Sequence, residues 1–373
     1  MPAVRYRVYL DDEPATRDQL DRIEEIAIDQ EIDLAWEARL KIPICADASG
    51  QWDGEDEPFL QSFARVRVEV KVGDRAYTPL IDGPIVGSDR RTSSEPGQSS
   101  LLVIVHDDSA YLNREDEIRN FQNMSDHEIA RQIFTDTSQI DRADVEDALP
   151  CTCGITPEEI QRGTRMALLR RLARRQGMHA YVVPGDSPGR SVGCFKKLPT
   201  SAGDLPELVL LGADRNISSF HVSSNAQSPA NVQAFSLAIG DRAVTDSTSS
   251  VRNVELLGSE GTGDADAGHR ILRPDADCCL EPERAAAVEA ERASYSFEAT
   301  GSVIGECYGA ALSPYQAIVA RAVGSRLSGT YVIKKVEHRL DRWRYTQQFA
   351  LLRNARSGGG AGGGLLDLAA SIF

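Results

Sequence analysis

The chain lacks the features by which membrane proteins, nucleic-acid binders and most enzyme classes are read. No run approaches the roughly 20 apolar residues that a bilayer crossing requires, so membrane insertion by the chain itself is not expected. Basic residues are outnumbered, 41 Lys and Arg against 56 Asp and Glu. The resulting net charge of −15 argues against nucleic acid as a partner, because such binding works by displacing counterions from phosphates. Histidine is scarce, and residues 106, 127, 179, 221, 269 and 338 show neither metal-ligand spacing nor an HExxH helix. A GxSxG elbow, a GxxxxGK(S/T) phosphate loop and a GxGxxG turn after a strand are all missing.

The nearest cluster, His106-Asp107-Asp108, sits at a strand end, where neighbouring side chains point to opposite faces and cannot converge on one atom. Turn chemistry accounts for it. Carboxylates are so numerous that no glycosidase-like pair stands out. The expectation is a protein with no catalytic residues, no cofactor and no metal. The cysteines (Cys45, Cys151, Cys153, Cys194, Cys278, Cys279, Cys307) are odd in number and widely spread, unlike a disulfide scaffold. Reduced thiols are the preferred reading. Metal binding is the alternative at Cys151-Thr152-Cys153 and Cys278-Cys279, although neither has the two-residue gap of a zinc knuckle. The first ten residues alternate like a strand and lack the apolar core and cleavage site of a signal peptide, which predicts cytoplasmic assembly.

What is present is the composition of a globular protein, 41% apolar and 26% charged over 373 residues, long enough for two or three domains. Residues 1–112 read as a small barrel. A strand at Val4 to Leu10 leads to a capping box of Thr16 and Gln19. Leu20, Ile23, Ile26 and Ala27 then recur at helical spacing, predicting a surface helix. Strand-like runs follow at Leu34 to Ile44, Ala64 to Val72, Tyr77 to Ser88 and Leu101 to Asp107.

Residues 113–180 read as a helical connecting domain. Ser125 and Glu128 form a capping box with Met124 and Ile129 as a hydrophobic staple, and Thr156, Pro157 and Glu159 repeat the pattern with Ile155 and Ile160. Both predict helices. From Thr164 to Gln176, Leu168, Leu169, Leu172 and Ala173 form one stripe, ringed by Arg165, Arg170, Arg171, Arg174 and Arg175 and ended by Gly177. These arginines are either a solvated face compensating an acidic chain or a protein contact.

Strands near Met178 to Val183, Leu208 to Leu211, Ile217 to Val222 and Val232 to Ile239 place a second barrel over 181–240 and 295–355. Residues 241–294 are a polar insertion with a helix at Pro282 to Ala293. Residues 356–373 are a Gly-rich linker followed by an apolar tail of Leu365, Leu366, Leu368, Ile372 and Phe373, which docks on its own subunit or on another protein.

The clearest signal is a long hairpin. Arg326-Leu327-Ser328-Gly329-Thr330-Tyr331 opens a limb that runs to Leu340, and Tyr345 to Asn354 returns. On the return limb Tyr345, Phe349 and Leu351 share one face while Thr346, Gln348 and Asn354 share the other. On the outgoing limb Tyr331 and Ile333 are out of phase with Val336, His338 and Leu340, and a bulge near Lys334-Lys335 reconciles them.

This hairpin resembles the closing barrel hairpin of the phage late control protein D family, tail and baseplate hubs related to the hub part of VgrG proteins. The likeness extends to residues 33–44 (DLAWEARLKIPI), 63–89 (FARVRVEVKVGDRAYTPLIDGPIVGSD) and 99–116 (SSLLVIVHDDSAYLNRED), in the order of a first barrel. Residues 124–134 and 166–183 resemble the helical insertion between barrels, and 208–225 the start of the second. The tip, glycine-rich in the family pattern, here carries Arg342, Trp343 and Arg344, the 241–294 insertion and the Gly-rich tail have no counterpart in that pattern, and no needle of β-repeats follows Asn354.

The resemblance implies a mainly β protein with a helical insertion, two small β-barrels of tail-tube or hub type plus an α+β connecting domain. It implies a structural role, as a homotrimer joining the hexameric inner tube to a trimeric spike, a separate protein, among other baseplate components of a contractile tail or injection particle. A tail-associated cell-wall hydrolase and the hub of a non-contractile tail are the alternatives. The partner-binding residues expected are Leu365, Leu366, Leu368, Ile372 and Phe373 of the tail and Arg170, Arg171, Arg174 and Arg175 of the basic helix.

Overall fold

The structure, a computed structural model, describes residues 4–47, 49–52, 60–148, 158–237, 244–263, 265–272, 282–305 and 307–358. The first unit comprises β1 (Val4–Leu10), β2 (Glu13–Pro14), α1 (Arg17–Arg22), β3 (Glu25–Glu31), β4 (Glu37–Pro43), β5 (Arg65–Val72), β6 (Thr78–Arg91) and β7 (Ser100–His106). Its strands pair in the order β3-β4-β7-β6-β5-β1. Period-two patterning puts Ala38, Leu40 and Ile42, Val66, Val68 and Val70, and Val103 and Val105 inside one core.

The Thr16–Gln19 capping box forms, but α1 ends at Arg22 and the expected continuation to Ala27 does not occur. Ile26, Ile28 and Gln30 instead alternate inward along β3, which pairs with a strand on each side. Tertiary pairing overrides a local spacing compatible with either period.

The connecting unit comprises α2 (Ser109–Leu112), β8 (Asp116–Gln122), α3 (Asp126–Thr135), β9 (Ile140–Val145), β10 (Glu158–Thr164), α4 (Arg165–Gln176), β11 (His179–Pro184) and β12 (Ser191–Lys196). Ser125 and Glu128 cap α3 as expected, the Ser125 amide donating to Glu128 at 2.7 Å. A helix beginning at Thr156-Pro157 is overturned. Glu159 and Ile160 lie in β10, which pairs residue for residue with β8, while Thr156 and Pro157 fall outside the described residues. The helix starts one strand later, with Thr164 as its cap and Gly177 ending it at φ 68°. β12 pairs with β11 on one side and with β9 on the other in a separate three-stranded sheet, so the connecting unit runs past the expected border at 180. Ile129, Ile133, Phe134, Leu169, Leu172 and Phe195 form its core.

The remaining strands are β13 (Leu208–Val209), β14 (Ile217–Ser224), β15 (Ala230–Leu237), β16 (Val244–Ser249) and β17 (Gly268–Leu272), then α5 (Pro282–Ser294), β18 (Phe297–Val303), β19 (Ala317–Arg321), β20 (Gly329–Asp341) and β21 (Tyr345–Arg353). β15 does not join the second barrel as expected. It pairs with β16 and β17, and α5 covers that small sheet through Val232, Ala234, Ala286 and Ala290. The polar 241–294 stretch therefore contains a folded layer as well as loops.

β20 is where the two curled sheets become one. Its first half pairs with β19 and its second half with β3, while β21 flanks it. The register shifts between Ile333 and Lys335, where the bulge is expected. Tyr331, Ile333, Val336, Phe349 and Leu351 fill the second core, and Leu340 and Tyr345 enter the first. The result is a single 13-stranded sheet. Among the described residues no helix is long and apolar enough to cross a membrane.

His338 lies fully buried on β20, between the two cores, with Nδ1 2.9 Å from the Tyr345 hydroxyl and Nε2 3.2 Å from Gln30 Oε1. The neutral tautomer with the proton on Nε2 satisfies both contacts. Burial lowers its pKa to about 3 from the ordinary 6.5. The unfolded chain then binds a proton that the folded chain refuses, so stability is full above pH 6.5 and falls as the solution is acidified. The loss attributable to this group is about 1.4 kcal/mol per pH unit below that point. Urea denaturation from pH 7 to 4.5 should show this slope, and His338→Gln should flatten it.

Candidate assembly interfaces

The joint between the first unit and the connecting layer is built from charges on a strand face. Alternation along β5 sends Val66, Val68 and Val70 into the core and Arg65, Arg67 and Glu69 to the opposite face. Register places Arg67 directly across from Asp82 of β6. Arg67 donates to Asp82 at 2.9 Å and to Glu69 at 2.8 Å, and Arg65 donates to Asp82 at 2.8 Å and to both Asp108 carboxylate oxygens at 3.0 and 2.6 Å. The loop from β11 to β12 closes over this face. Ser187 O accepts from Arg67 at 3.1 Å, the Gly189 amide donates to Asp82 at 3.1 Å, and Ser191 Oγ donates to Asp108 at 2.7 Å.

Arg67, Asp82 and Asp108 are buried at 1%, 0% and 0% exposure, so each charge depends on its partners. The neighbouring carboxylates hold the Arg65 guanidinium more firmly charged than usual, outweighing its desolvation. The His106-Asp107-Asp108 run diverges as its strand-end position requires. His106 turns to Glu37 at 3.1 Å, Asp107 accepts the Trp36 and Ser109 amides, and Asp108 serves the joint.

A second tie binds the connecting layer to the large sheet. Asp33, just after β3, pairs with His179 of β11 at 2.7 Å, and its amide donates to the Tyr315 hydroxyl at 2.7 Å. The Tyr315 ring stacks on Tyr181 with centroids 3.5 Å apart. Tyr315 has φ 62°, an uncommon backbone for a side-chain-bearing residue, and the stack and hydrogen bond fix it there.

At the hairpin, Arg353 is buried beneath the turn that opens β20. It donates to Leu327 O at 2.9 Å, Ser328 O at 3.2 Å, Leu257 O at 3.3 Å and Ser357 Oγ at 3.0 Å. A Cβ on Gly329 would sit 2.6 Å from this guanidinium, at a φ of 137°. The Leu-Ser-Gly motif and the distant Arg353 are thus one interlocked feature. Asn354, expected on the outer face, is instead buried. It accepts from the Leu257 amide at 2.9 Å and donates to Glu255 O at 2.8 Å, fastening the insertion to the sheet.

The arginines of α4 divide. Arg171 pairs with Glu159, and Arg175 reaches Asp126 at 2.7 Å and Glu159 at 2.9 Å, both inside the chain. Arg170 and Arg174 are exposed. Leu365, Leu366, Leu368, Ile372 and Phe373 lie outside the described residues, as do Cys151, Cys153, Cys278 and Cys279. Cys45 and Cys307 are exposed free thiols and Cys194 is a buried one. Among the described residues no three His, Cys, Asp or Glu side chains gather as metal ligands would. At the hairpin tip Trp343 is 89% exposed, and Asp341 accepts the Trp343 and Arg344 amides at 2.7 Å each.

Sequence reading missed the buried joint, because Arg65, Arg67 and Glu69 alternate with valines as a solvated face would. The one signal was Asp82 in the next strand. Asp82→Asn should leave the buried Arg67 and the partly buried Arg65 each with one carboxylate fewer, Glu69 and Asp108 remaining, and cost about 2–3 kcal/mol. Urea denaturation measures the loss, and hydrogen exchange should show it as lost protection along residues 185–191.

No family model matches the chain, and no curated protein matches it. Solved structures do. The chain is similar to the 43 kDa tail protein of prophage MuSo2 from Shewanella oneidensis, at TM-score 0.65 and 14% identity over 94% of this chain and 99% of that one. It is similar to a tail protein from Neisseria meningitidis, at TM-score 0.61 and 13% identity over 94% and 97% of the two chains. It is also similar to an E. coli type VI secretion component described as structurally similar to bacteriophage T4 tail proteins gp27 and gp5. That likeness has TM-score 0.55 and 11% identity over 96% and 80%. Two curled sheets fused through β20, with an α+β layer braced against them, give this chain the fold of phage tail proteins and their type VI secretion counterparts.

Proposed function

We propose that the chain is the central baseplate hub of a contractile phage tail or phage-like injection particle, a homotrimeric adaptor between a hexameric inner tube and a trimeric spike. The observation that carries this reading is the near end-to-end match to a phage tail protein, 94% of this chain against 99% of that one. The first half-barrel, the connecting layer and the second half-barrel are the units of the adaptor, and the protein resides in the particle.

The strand pairing favours an assembly role. β14 pairs only with β18 among the described residues and ends the sheet path, and β1 has a partner along its whole length on one side only. Such strands offer unpaired amides and carbonyls to a neighbour. A cyclic arrangement would satisfy the head-to-tail contacts that a ring requires. In the particle, the exposed Arg170 and Arg174 and the apolar tail Leu365, Leu366, Leu368, Ile372 and Phe373 meet the spike or the adjacent subunit. The buried polar clusters act as struts, and no catalytic step is assigned to them.

Light scattering after size exclusion tests the proposal. The purified chain should have the mass of three subunits, alone or when coexpressed with the small spike-like protein encoded nearest to it. A monomer indifferent to the spike would overturn the reading.

A further inference from the structure

A cleft of about 270 Å³ opens where the end of α4, the middle of α5 and the large sheet meet. Ile32, Leu198, Val288, Tyr295 and Leu352 form its apolar walls, and Arg292 reaches into it from α5. Gly177 permits this approach of the layers, since a Cβ there would sit 3.2 Å from Val288 Cγ2. The space is smaller than a drug-sized pocket of about 300–1,000 Å³ and suits a pair of aliphatic side chains.

Its polar groups favour a peptide. Arg292 makes no hydrogen bond or ion pair with any described side chain; burial and then nearby Arg174 disfavour its charge, and Glu289, Asp33 and Glu291 offset this only in part. Asp33, the carboxylate on the opposite wall, is committed to His179 at 2.7 Å. Glu291, also on the rim, can accept backbone amides. The occupant that fits carries aliphatic side chains, one carboxylate for Arg292 and a backbone N–H for Glu291.

Residues 365–368, Leu-Leu-Asp-Leu, have that composition. The described chain ends at Gly358, six residues beyond Leu352 of the cleft wall, a separation of at most about 20 Å. The Gly-rich stretch from 358 to 365 spans about 15 Å on average and up to about 25 Å when extended. We propose that two of Leu365, Leu366 and Leu368 seat in this cleft of their own chain, with Asp367 on Arg292. This goes beyond the hub reading, because it concerns the free subunit and holds whether or not the chain is a hub. A spike or neighbouring subunit would compete for the same tail.

The test places photo-reactive p-benzoylphenylalanine at Leu366 in the full chain, mixes isotopically light and heavy protein, and maps the adducts by mass spectrometry. Adducts within one chain to the peptides containing Leu198 and Val288 to Tyr295 are expected. They should be lost in Val288→Asp and, with the folded part untouched, in Asp367→Arg. Adducts elsewhere, adducts only between light and heavy chains, persistence of the adduct in both variants, or no adduct would each overturn the assignment. The mass of the purified chain, read separately, reports on the hub proposal alone.

Discussion

The arrangement of the layers depends on the need to cover a charged strand face. β5 carries valines on one side and Arg65, Arg67 and Glu69 on the other, so once the valines enter the core the charges are fixed in place. Exposed, such a face would contribute little, since solvated ion pairs are worth about 0–1 kcal/mol. Here the 187–191 loop shuts out water, and every charge must then find its counterpart among Asp82, Asp108, Glu69 and the loop's own polar groups. Replacing such a cluster by apolar side chains of similar volume can be neutral or stabilising. Its distinctive contribution is geometric, because the same groups hold the connecting layer at defined points: Arg67 the Ser187 carbonyl, Asp82 the Gly189 amide and Arg65 the Asp108 carboxylate.

Arg353 works by a related principle at the hairpin. Its donors satisfy carbonyls from the turn before β20 and from Leu257 in the insertion, and the Tyr331 ring lies beneath it with the guanidinium 5.0 Å from the centroid. Segments far apart in sequence are therefore held by one planar group, and the glycine at 329 is the space it requires. In both places a buried arginine satisfies backbone groups that irregular segments would otherwise leave unpaired.

Legibility in the sequence followed the range of the interactions. The strands β1, β4, β5, β6 and β7 of the first half-barrel, the bulge at 333–335, the capping of α3 and the Gly177 stop were readable because each is encoded by neighbours in sequence. The misreadings share one cause. Ile26 continues a helical spacing from Leu20, and Thr156-Pro157-Glu159 has the form of a helix start. Both segments have distant partners, β4 and β20 for the first and β8 for the second, and pairing decided their state. β15 was placed in the wrong sheet for the same reason. Of the candidate contact residues, the sequence identified the arginine stripe but not that Glu159 and Asp126 already occupy two of its members. Burial of the Arg65 and Arg67 face was illegible, since only the fold brings the covering loop to it.

The seam between β3 and β20 also governs how the protein bears load. Residues 25 to 31 pair with 335 to 341 in antiparallel register without interruption, so the half-barrels are joined by a ladder of backbone hydrogen bonds instead of a linker. Tension along these strands would pull the ladder in shear, and its rungs would have to fail together; a force peeling the sheets apart would meet them one at a time. The molecule is accordingly stiff in one direction and weaker at right angles to it, a mechanical anisotropy that follows from the register alone.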